Sequence, residues 1–556
     1  MSDSLALAHR ALLTWRSIWH LRPGQVANRM WRKVWRPRPV CGPAPEWCSA
    51  GRGWAEPPAA RGEWQDESTV RIHAQCGEVR TAADWRRVFA DQLRLYQLHY
   101  LDQLCATDQP GADFAARLLV RWIEDNPPGS RPGWDPYPIS RRVVNALKAA
   151  LSGMPLSSAV RASLADQCRY LVPRIERHLL ANHLLANAKA LVFAGVCFAS
   201  AEGRAWLQRG FDLLRLEVHE QVLADGGHIE RSPMYHALVT QDLLDLVNLR
   251  NAYALSGLEY LDATCERMLA WQASVSHPDG GIALINDSTQ DAALPLAALA
   301  AYARRLGLRA PAPPPAGLSL LRPSGFARLA VGPWCLLAEV GGVGPGYQPG
   351  HAHAGTLGYE LSVGHERIVV DTGVSTYAAG ARRAQERSTA AHNTVTLDGE
   401  NSSEVWGAFR VARRARAIAL EGNGTALDAW VRAAHDGYRI APQRARHARR
   451  WLMSSDAIEI NDTLTGRGAA AIRTAVHFHP DCRVEQAAPH LVSVTVRSGA
   501  QVHLRLDEAL AWRLDSYLYA PNFGVQLPAT VLSGDCAGTL PQSIRLRFVL
   551  GAHARP

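Results

Sequence analysis

The hydrophobic period of this chain changes once along its length, and that change constrains the fold more than any other feature. From about Ala83 to Leu306 the apolar residues recur at helical spacing. In DWRRVFADQLRLYQLHYLDQL they fall at Trp85, Phe89, Leu93, Tyr96 and Tyr100. The same pattern predicts helices over Phe114–Glu124, Ser140–Leu151, Ser158–Leu179 (with a break at Pro173), Leu184–Ala199, Trp206–Ala224, His236–Leu255 and Tyr260–Val275. The segment RAPAPPPAGLSLLRPSG, residues 309–325, is a linker by composition. After it the period becomes two, with strands expected at Tyr359–Val363, Arg367–Asp371, Ala391–Leu397, Ala457–Asp462 and Val502–Leu506. A chain of 556 residues exceeds what one core supports. The expected organisation is therefore a basic, aromatic helical segment and irregular connection over 1–80, a helical domain over 81–308, a linker over 309–325 and an antiparallel β-sandwich over 326–556. Successive helix pairs close into a ring or stack as a solenoid, and the pattern does not choose between these.

The N-terminal segment TWRSIWHLRPGQVANRMWRKVWRPRP sets Trp15, Trp19, Trp31 and Trp35 among arginines, with a break at Pro23-Gly24. Two short amphipathic helices fit it, their tryptophans expected to pack onto the main domain; peripheral contact with a membrane surface is the alternative. Residues 1–40 hold no uninterrupted apolar stretch of signal-peptide length, and no run reaches the length of a membrane span, so the literal expectation is a cytoplasmic chain. Only Lys33, Lys148 and Lys189 are lysines, so arginine supplies nearly all the positive charge behind the net +9. Arginine forks suit a carboxylate- or sulfate-bearing polymer; codon composition explains the same bias. Nothing resembles a nucleic-acid-binding motif or a basic tail. Ten cysteines without a CxxC pair argue against a disulfide framework or zinc knuckle, and most are expected as buried, reduced thiols.

Three clusters carry candidate chemistry. ERHLLANHLLANAKALVFAG (176–195) contains Asn182, His183 and Asn187, which interrupt an apolar helix and read most simply as helix–helix hydrogen bonds. ADGGHIERSPMYHALVTQDLL (224–244) contains His228, Glu230, Arg231, Tyr235 and His236, with Pro233 setting Tyr235 in the first turn of a helix. A third stretch, 349–399, contains His351, His353, Asp371, Tyr377, Arg387, His392 and Asn393. There, His351 and His353 share one side of an extended segment, and Asp371 and His392 bound separate strand-like runs. Histidines and a carboxylate converging in this way suit a divalent metal.

Taken in order, NHLLANAKAL, DGGHIERSPMYH, GHAHAGTLGYEL with VVDTGVSTY, and RSTAAHNTVTLDG resemble the heparinase II/III-like polysaccharide lyases. WDPYPISRRVVNALKA (134–149) and WHLRPGQVANRMW extend the resemblance over nearly the whole chain. It implies an (α/α) toroid followed by a β-sandwich, with the active site in the cleft between them. By the resemblance, Tyr235 matches the Brønsted acid, His351 the catalytic histidine, and Asn182, with His183 beside it, the group that neutralises a uronate carboxylate. His353, Asp371 and His392 match a metal triad, usually zinc, that organises the site. Trp134, Tyr137, Arg141 and Arg142 fall where sugar-binding loops are expected, and Glu230, Arg231, Tyr377, Arg387 and Asn393 join them as substrate-binding candidates. A cell-envelope location also follows from the resemblance. One position departs: relatives commonly read HAHAD where this chain has HAHAG, so Gly355 replaces a carboxylate.

The implied reaction is β-elimination on an acidic polysaccharide. A base removes the C5 proton of a uronate, an acid protonates the oxygen leaving C4, and a hydrogen-bonding group stabilises the enolate-like intermediate. Hydrolysis would instead need two spaced carboxyl groups, for which Glu230 and Asp287 are the candidates. A degenerate, non-catalytic polysaccharide-binding protein is the third reading.

Overall fold

The computed structural model describes residues 3–111 and 113–551. It opens with two helices, α1 (Asp3–Ile18) and α2 (Pro23–Val34), with proline at the first position of α2, where its missing N–H costs nothing. The helical domain follows: α3 (Gln92–Leu98), α4 (Phe114–Asp125), α5 (Pro136–Leu151), α6 (Ser158–Leu171), α7 (Ala181–Cys197), α8 (Ala201–Gln221), α9 (Pro233–Tyr253), α10 (Tyr260–Ser274) and α11 (Leu296–Arg305). Helix α7 is its centre. Its sequence is mostly apolar around its circumference, and it packs against α5, α6, α8 and α9, which bury all its residues except His183. The stretch Trp85–Tyr100 is not one helix. A short 3₁₀ turn at Asp84–Arg86 is followed by α3, which begins where the Asp91 side chain caps the Leu93 N–H at 3.0 Å. Likewise α6 stops at Leu171, and Pro173 lies in a 3₁₀ turn beyond it.

The strands of the C-terminal part pair antiparallel, and a short helix α12 (Ala381–Glu386) lies among them. A five-stranded meander runs Gly317–Leu321, Phe326–Val331, Trp334–Glu339, Tyr359–Val363 and Glu366–Val369, so the sheet begins inside the segment read as a linker. An eight-stranded sheet faces it, and a four-stranded sheet, including Val395–Leu397 and Ala469–His477, completes the sandwich. Alternation explains the packing: along Arg446–Ser454, His447, Arg449, Trp451 and Met453 point inward while their neighbours face outward.

Strand Trp334–Glu339 is buried on both faces and joins the two domains. Its Trp334, Leu336 and Ala338 enter the sandwich core, while Cys335 and Leu337 pack on Trp271 and Val275 of the helical domain. At roughly 1.5–3 kcal/mol per fully buried large apolar side chain, this seam fixes the two walls of the cleft.

The N-terminal tryptophans stay largely exposed instead of packing fully onto the main domain, although Trp31 borders Leu180 and Leu184. Trp15, Trp19, Trp31 and Trp35 are 60, 73, 55 and 40% exposed. The opposite sides of the two helices are fastened instead by polar contacts. Arg16 pairs with Glu404 at 2.8 Å, and Ser17 Oγ accepts from Trp406 Nε1 at 3.0 Å, both in the β domain. Arg22 pairs with Glu220, and Arg32 donates to the Arg174 carbonyl at 3.0 Å, both in the helical domain. All ten cysteines are free, but only Cys168, Cys197, Cys265 and Cys335 are buried. Cys41 and Cys76 are exposed because they lie in the extended N-terminal connection and in the small hairpin Thr69–Ile72/Gln75–Glu78. Among the described residues no helix is long and apolar enough to cross a membrane.

Candidate active site

The helical wall of the cleft is built around the start of α7. Leu180 (φ 63, ψ −156) and Ala181 (φ 50) hold backbone conformations that side-chain-bearing residues rarely adopt, and such strain concentrates at functional sites. The turn delivers Asn182 and His183 in the first helical turn. Asn182 donates from both its backbone N–H (3.1 Å) and its side-chain amide (2.7 Å) to Glu230 Oε1. His183 Nδ1 lies 3.2 Å from Glu176 Oε2, and its ring rests against Tyr137 with centroids 4.5 Å apart. Burial works against the charged imidazole, but Glu176 outweighs it and raises the His183 pKa. Arg141 lies between Asp102 (3.6 Å) and Asp242 (3.5 Å) and, like Tyr137 and His183, is only partly buried.

Tyr235 arrives from the first turn of α9, where Ser232 caps the helix by accepting from the Tyr235 N–H at 3.2 Å. Its ring stacks on His351 of the β domain at 3.8 Å between centroids, and its hydroxyl is 3.4 Å from that of Tyr377. Burial and the neighbouring Tyr377 push the Tyr235 hydroxyl well above the usual phenol range, so it is a proton donor at neutral pH. The acid and histidine candidates are thus in van der Waals contact, one from each domain.

Behind them sits the organising group, Asp287. Its Oδ2 is 2.9 Å from His351 Nδ1, its Oδ1 is 2.8 Å from His353 Nε2, and Arg383 grips both oxygens at 2.5 and 2.7 Å. Burial opposes ionisation, yet Arg383 and the two imidazoles hold this carboxyl well below the usual range. An ionised carboxylate only accepts, so both imidazoles must donate to it. In its neutral form His351 therefore carries its proton on Nδ1 and has its lone pair on Nε2, which lies 3.3 Å from Glu230 Oε2 without a hydrogen bond between them. His353 is protonated on Nε2 and leaves Nδ1 buried without a partner.

The expected metal residues gather next to this knot. The His353 and His392 rings are 5.3 Å apart, and His392 Nδ1 is 2.6 Å from Asp371 Oδ2, leaving His392 Nε2 also buried and unpartnered. Two orphaned imidazole nitrogens suit a divalent ion, but Asp371 is engaged with His392. Among the described residues no group of three or more His, Cys, Asp or Glu side chains is disposed to hold a metal. Beside them, a Cβ added at Gly355 would meet the His392 ring at 3.1 Å and Glu339 Oε2 at 3.2 Å. Glu339 thus brings a carboxylate to the ground that a longer side chain at 355 would enter. Burial raises its carboxyl to about 7.

Five expected substrate contacts belong to the framework instead. Trp134 is fully buried and donates to the Asn126 carbonyl at 3.0 Å. Arg142 is fully buried over the Trp122 ring and donates to Gln167 and to the His99 and Gly133 carbonyls. Arg231 crosses to the Gly342 carbonyl, against the glycine-rich loop that leads to His351. Arg387 donates to the Ala352 and Gly407 carbonyls and so holds the backbone between the two histidines. Asn393 bridges the Tyr359 and Val370 carbonyls and accepts from the His477 N–H. The pattern that suggested them, polar side chains near the motifs, does not separate a side chain that faces the cleft from one that braces its wall. Asn187 is a brace too, bonded to Ser140 and the Glu176 N–H. Conversely, Arg383 was not anticipated: in ARRAQER nothing distinguishes it from its neighbours, and only the fold brings it to Asp287.

The helical part matches the family model for the heparinase II/III N-terminus over residues 116–305, and the β part matches the heparinase II/III-like C-terminal model over 313–546. A heparin-sulfate lyase of Bacteroides stercoris is 26% identical over 215 residues, 36% of this chain but only 30% of that protein. The FtsZ-localized protein C of Caulobacter vibrioides is 25% identical over 474 residues, 81% of this chain and 78% of its own. A crystal structure of heparinase III superposes with a TM-score of 0.67 at 17% identity, covering 84% of this chain and 78% of that one, a likeness of fold. The fold is accordingly an (α/α) toroid joined to a β-sandwich, and the chain belongs to the heparinase II/III-like family.

Proposed function

We propose that the protein is a polysaccharide lyase that cleaves a uronate-bearing acidic polysaccharide by β-elimination, leaving an unsaturated C4–C5 uronate end. The observation that carries this reading is the Tyr235–His351 contact across the cleft, with the His351 proton fixed on Nδ1 by Asp287. His351 Nε2 is then the free lone pair that takes the C5 proton, and the Tyr235 hydroxyl protonates the oxygen leaving C4. The Asn182 amide is the donor for the substrate carboxylate, and Tyr137, Arg141 and His183 form the partly exposed wall along which the polymer lies. Hydrolysis fits less well. Asp287 is held ionised by Arg383, and Glu230 accepts two hydrogen bonds from Asn182 that favour its charged form, so neither is a protonated general acid. Zinc, if bound, would be held by His353 and His392 with Asp371, and would supply positive charge that organises the buried cluster. Elemental analysis should then find about one zinc per chain, and full occupancy after replacement of all three residues by Ala would remove the assignment.

The reading is tested by screening acidic polysaccharides for new absorbance from unsaturated uronate. With a responsive substrate, Tyr235→Phe should lower kcat by about 10²–10⁴, the range for a general acid or base, with little change in KM. Near-normal turnover by folded Tyr235→Phe would reduce the tyrosine to a packing residue.

A second reading rests on Glu230. Its carboxylate already occupies both Asn182 donors and stands 3.3 Å from His351 Nε2. Together with Gly355 and the FtsZ-localized relative, this favours a non-catalytic protein that uses the cleft only for binding. Saturable binding of a polysaccharide that is never turned over would select it.

A further inference from the structure

We propose that the N-terminal helix pair is a docking surface for the anionic face of a lipid bilayer. Helices α1 and α2 expose large apolar side chains on the sides turned away from their fastenings. Leu12, Trp15 and Ile18 form a stripe at three-residue spacing on α1 that Trp19 extends just beyond it, and α2 exposes Met30 and Val34, with Trp31 and Trp35 on and just beyond it at the edge where Trp31 also borders Leu180 and Leu184. The tryptophans lie in pairs, with ring centroids 5.6 Å apart for Trp15–Trp19 and 5.7 Å for Trp31–Trp35. In a soluble protein a concentration of this kind marks an interaction surface.

Charge selects the occupant. No Asp or Glu occurs between Asp3 and Glu46. The acids that touch the helices, Glu404 and Glu220, belong to the protein body and are taken up by Arg16 and Arg22. Arg10, Arg29, Lys33, Arg36 and Arg38 are exposed and, among the described residues, form no ion pair. Exposed tryptophans interleaved with unpaired cations match the headgroup region of an anionic bilayer, where indole rings take the boundary and each Lys or Arg strengthens binding by about fivefold. A protein partner would have to be both strongly acidic and strongly apolar on one face. The helices are too short and too charged to span, so the contact is peripheral.

The experiment uses the full chain and sedimentation with vesicles of phosphatidylcholine alone or mixed with phosphatidylglycerol, read together with tryptophan emission. The expected result is binding to the mixed vesicles only, weakened by salt, with a blue shift in emission. Trp15→Ser combined with Trp19→Ser, and separately Arg29→Gln combined with Lys33→Gln, Arg36→Gln and Arg38→Gln, should each reduce binding at least about tenfold while thermal unfolding stays as in the parent. Failure of the parent to bind mixed vesicles overturns the proposal. So does equal binding to both vesicle types by all three proteins, or a protein partner whose capture, rather than lipid binding, is lost in both variants.

Discussion

The arginines inside the molecule and those on its N-terminal helices are one residue type put to opposite uses. Arg142, Arg383, Arg387 and Arg449 are among the largest fully buried side chains, and each spends its donors on carbonyls, an amide or a carboxylate of the fold. Arg10, Arg29, Arg36 and Arg38 stand in solvent without an ion pair among the described residues. The lesson is that a high arginine content says little about the ligand. The buried few brace loops and strands of the fold, a task for which a planar fork with five donors suits better than an ammonium.

The comparison breaks first at Arg383. Arg383→Ala leaves Asp287 buried with half its partners gone, and should destabilise the protein by about 3–5 kcal/mol in denaturant unfolding; a loss near zero would move Arg383 to the class of idle surface charges. Arg142→Ala should cost about 2–3 kcal/mol, because Gln167 and two carbonyls lose their donor, while the KM of the protein that remains folded stays near the parent value. Its sequence neighbour sharpens the contrast. Arg141→Ala should raise KM about tenfold, the scale of one charge-assisted hydrogen bond, with a smaller effect on unfolding. Should the two neighbours exchange these outcomes, the division into braces and contacts fails. Arg36→Gln with Arg38→Gln should change unfolding by no more than about 0.5 kcal/mol, and a larger loss would mean that these side chains pack after all.

How much could be read beforehand differs between the two domains and the site. Period alone located most of the helices and five of the strands, because each of these elements buries one face or, as in α7, nearly all of them; it missed α11 and most of the remaining strands, and it started the strand at Val395–Leu397 four residues early, at Ala391. It misjudged Trp85–Tyr100, where helical spacing persists across a break that Asp91 enforces by capping a new start. It also placed the N-terminal tryptophans inside, since amphipathicity gives a helix an apolar side without saying what covers it. Within the site, the motifs singled out Asn182, Tyr235, His351, His353, Asp371 and His392, and the fold gathers all of them. Asp287 was visible only as half of a hypothetical hydrolytic pair with Glu230, and Arg383 not at all. Their roles come from a contact 96 residues apart in sequence, which no local pattern encodes.

The N-terminal helices touch both sides of the cleft: the β domain through Arg16 and Ser17, the helical domain through Arg22 and Arg32, and, through Gln25 and the Tyr347 carbonyl, the loop that leads to His351. A brace anchored on both walls behaves as a spacer. Any widening of the gap must stretch or release one of its anchors, and any load applied to its outer side is carried to the ends of the span. The width of the cleft and the seating of these helices are therefore mechanically coupled, the helices acting as a second tie beside the Trp334–Glu339 seam that joins the Tyr235 and His351 sides.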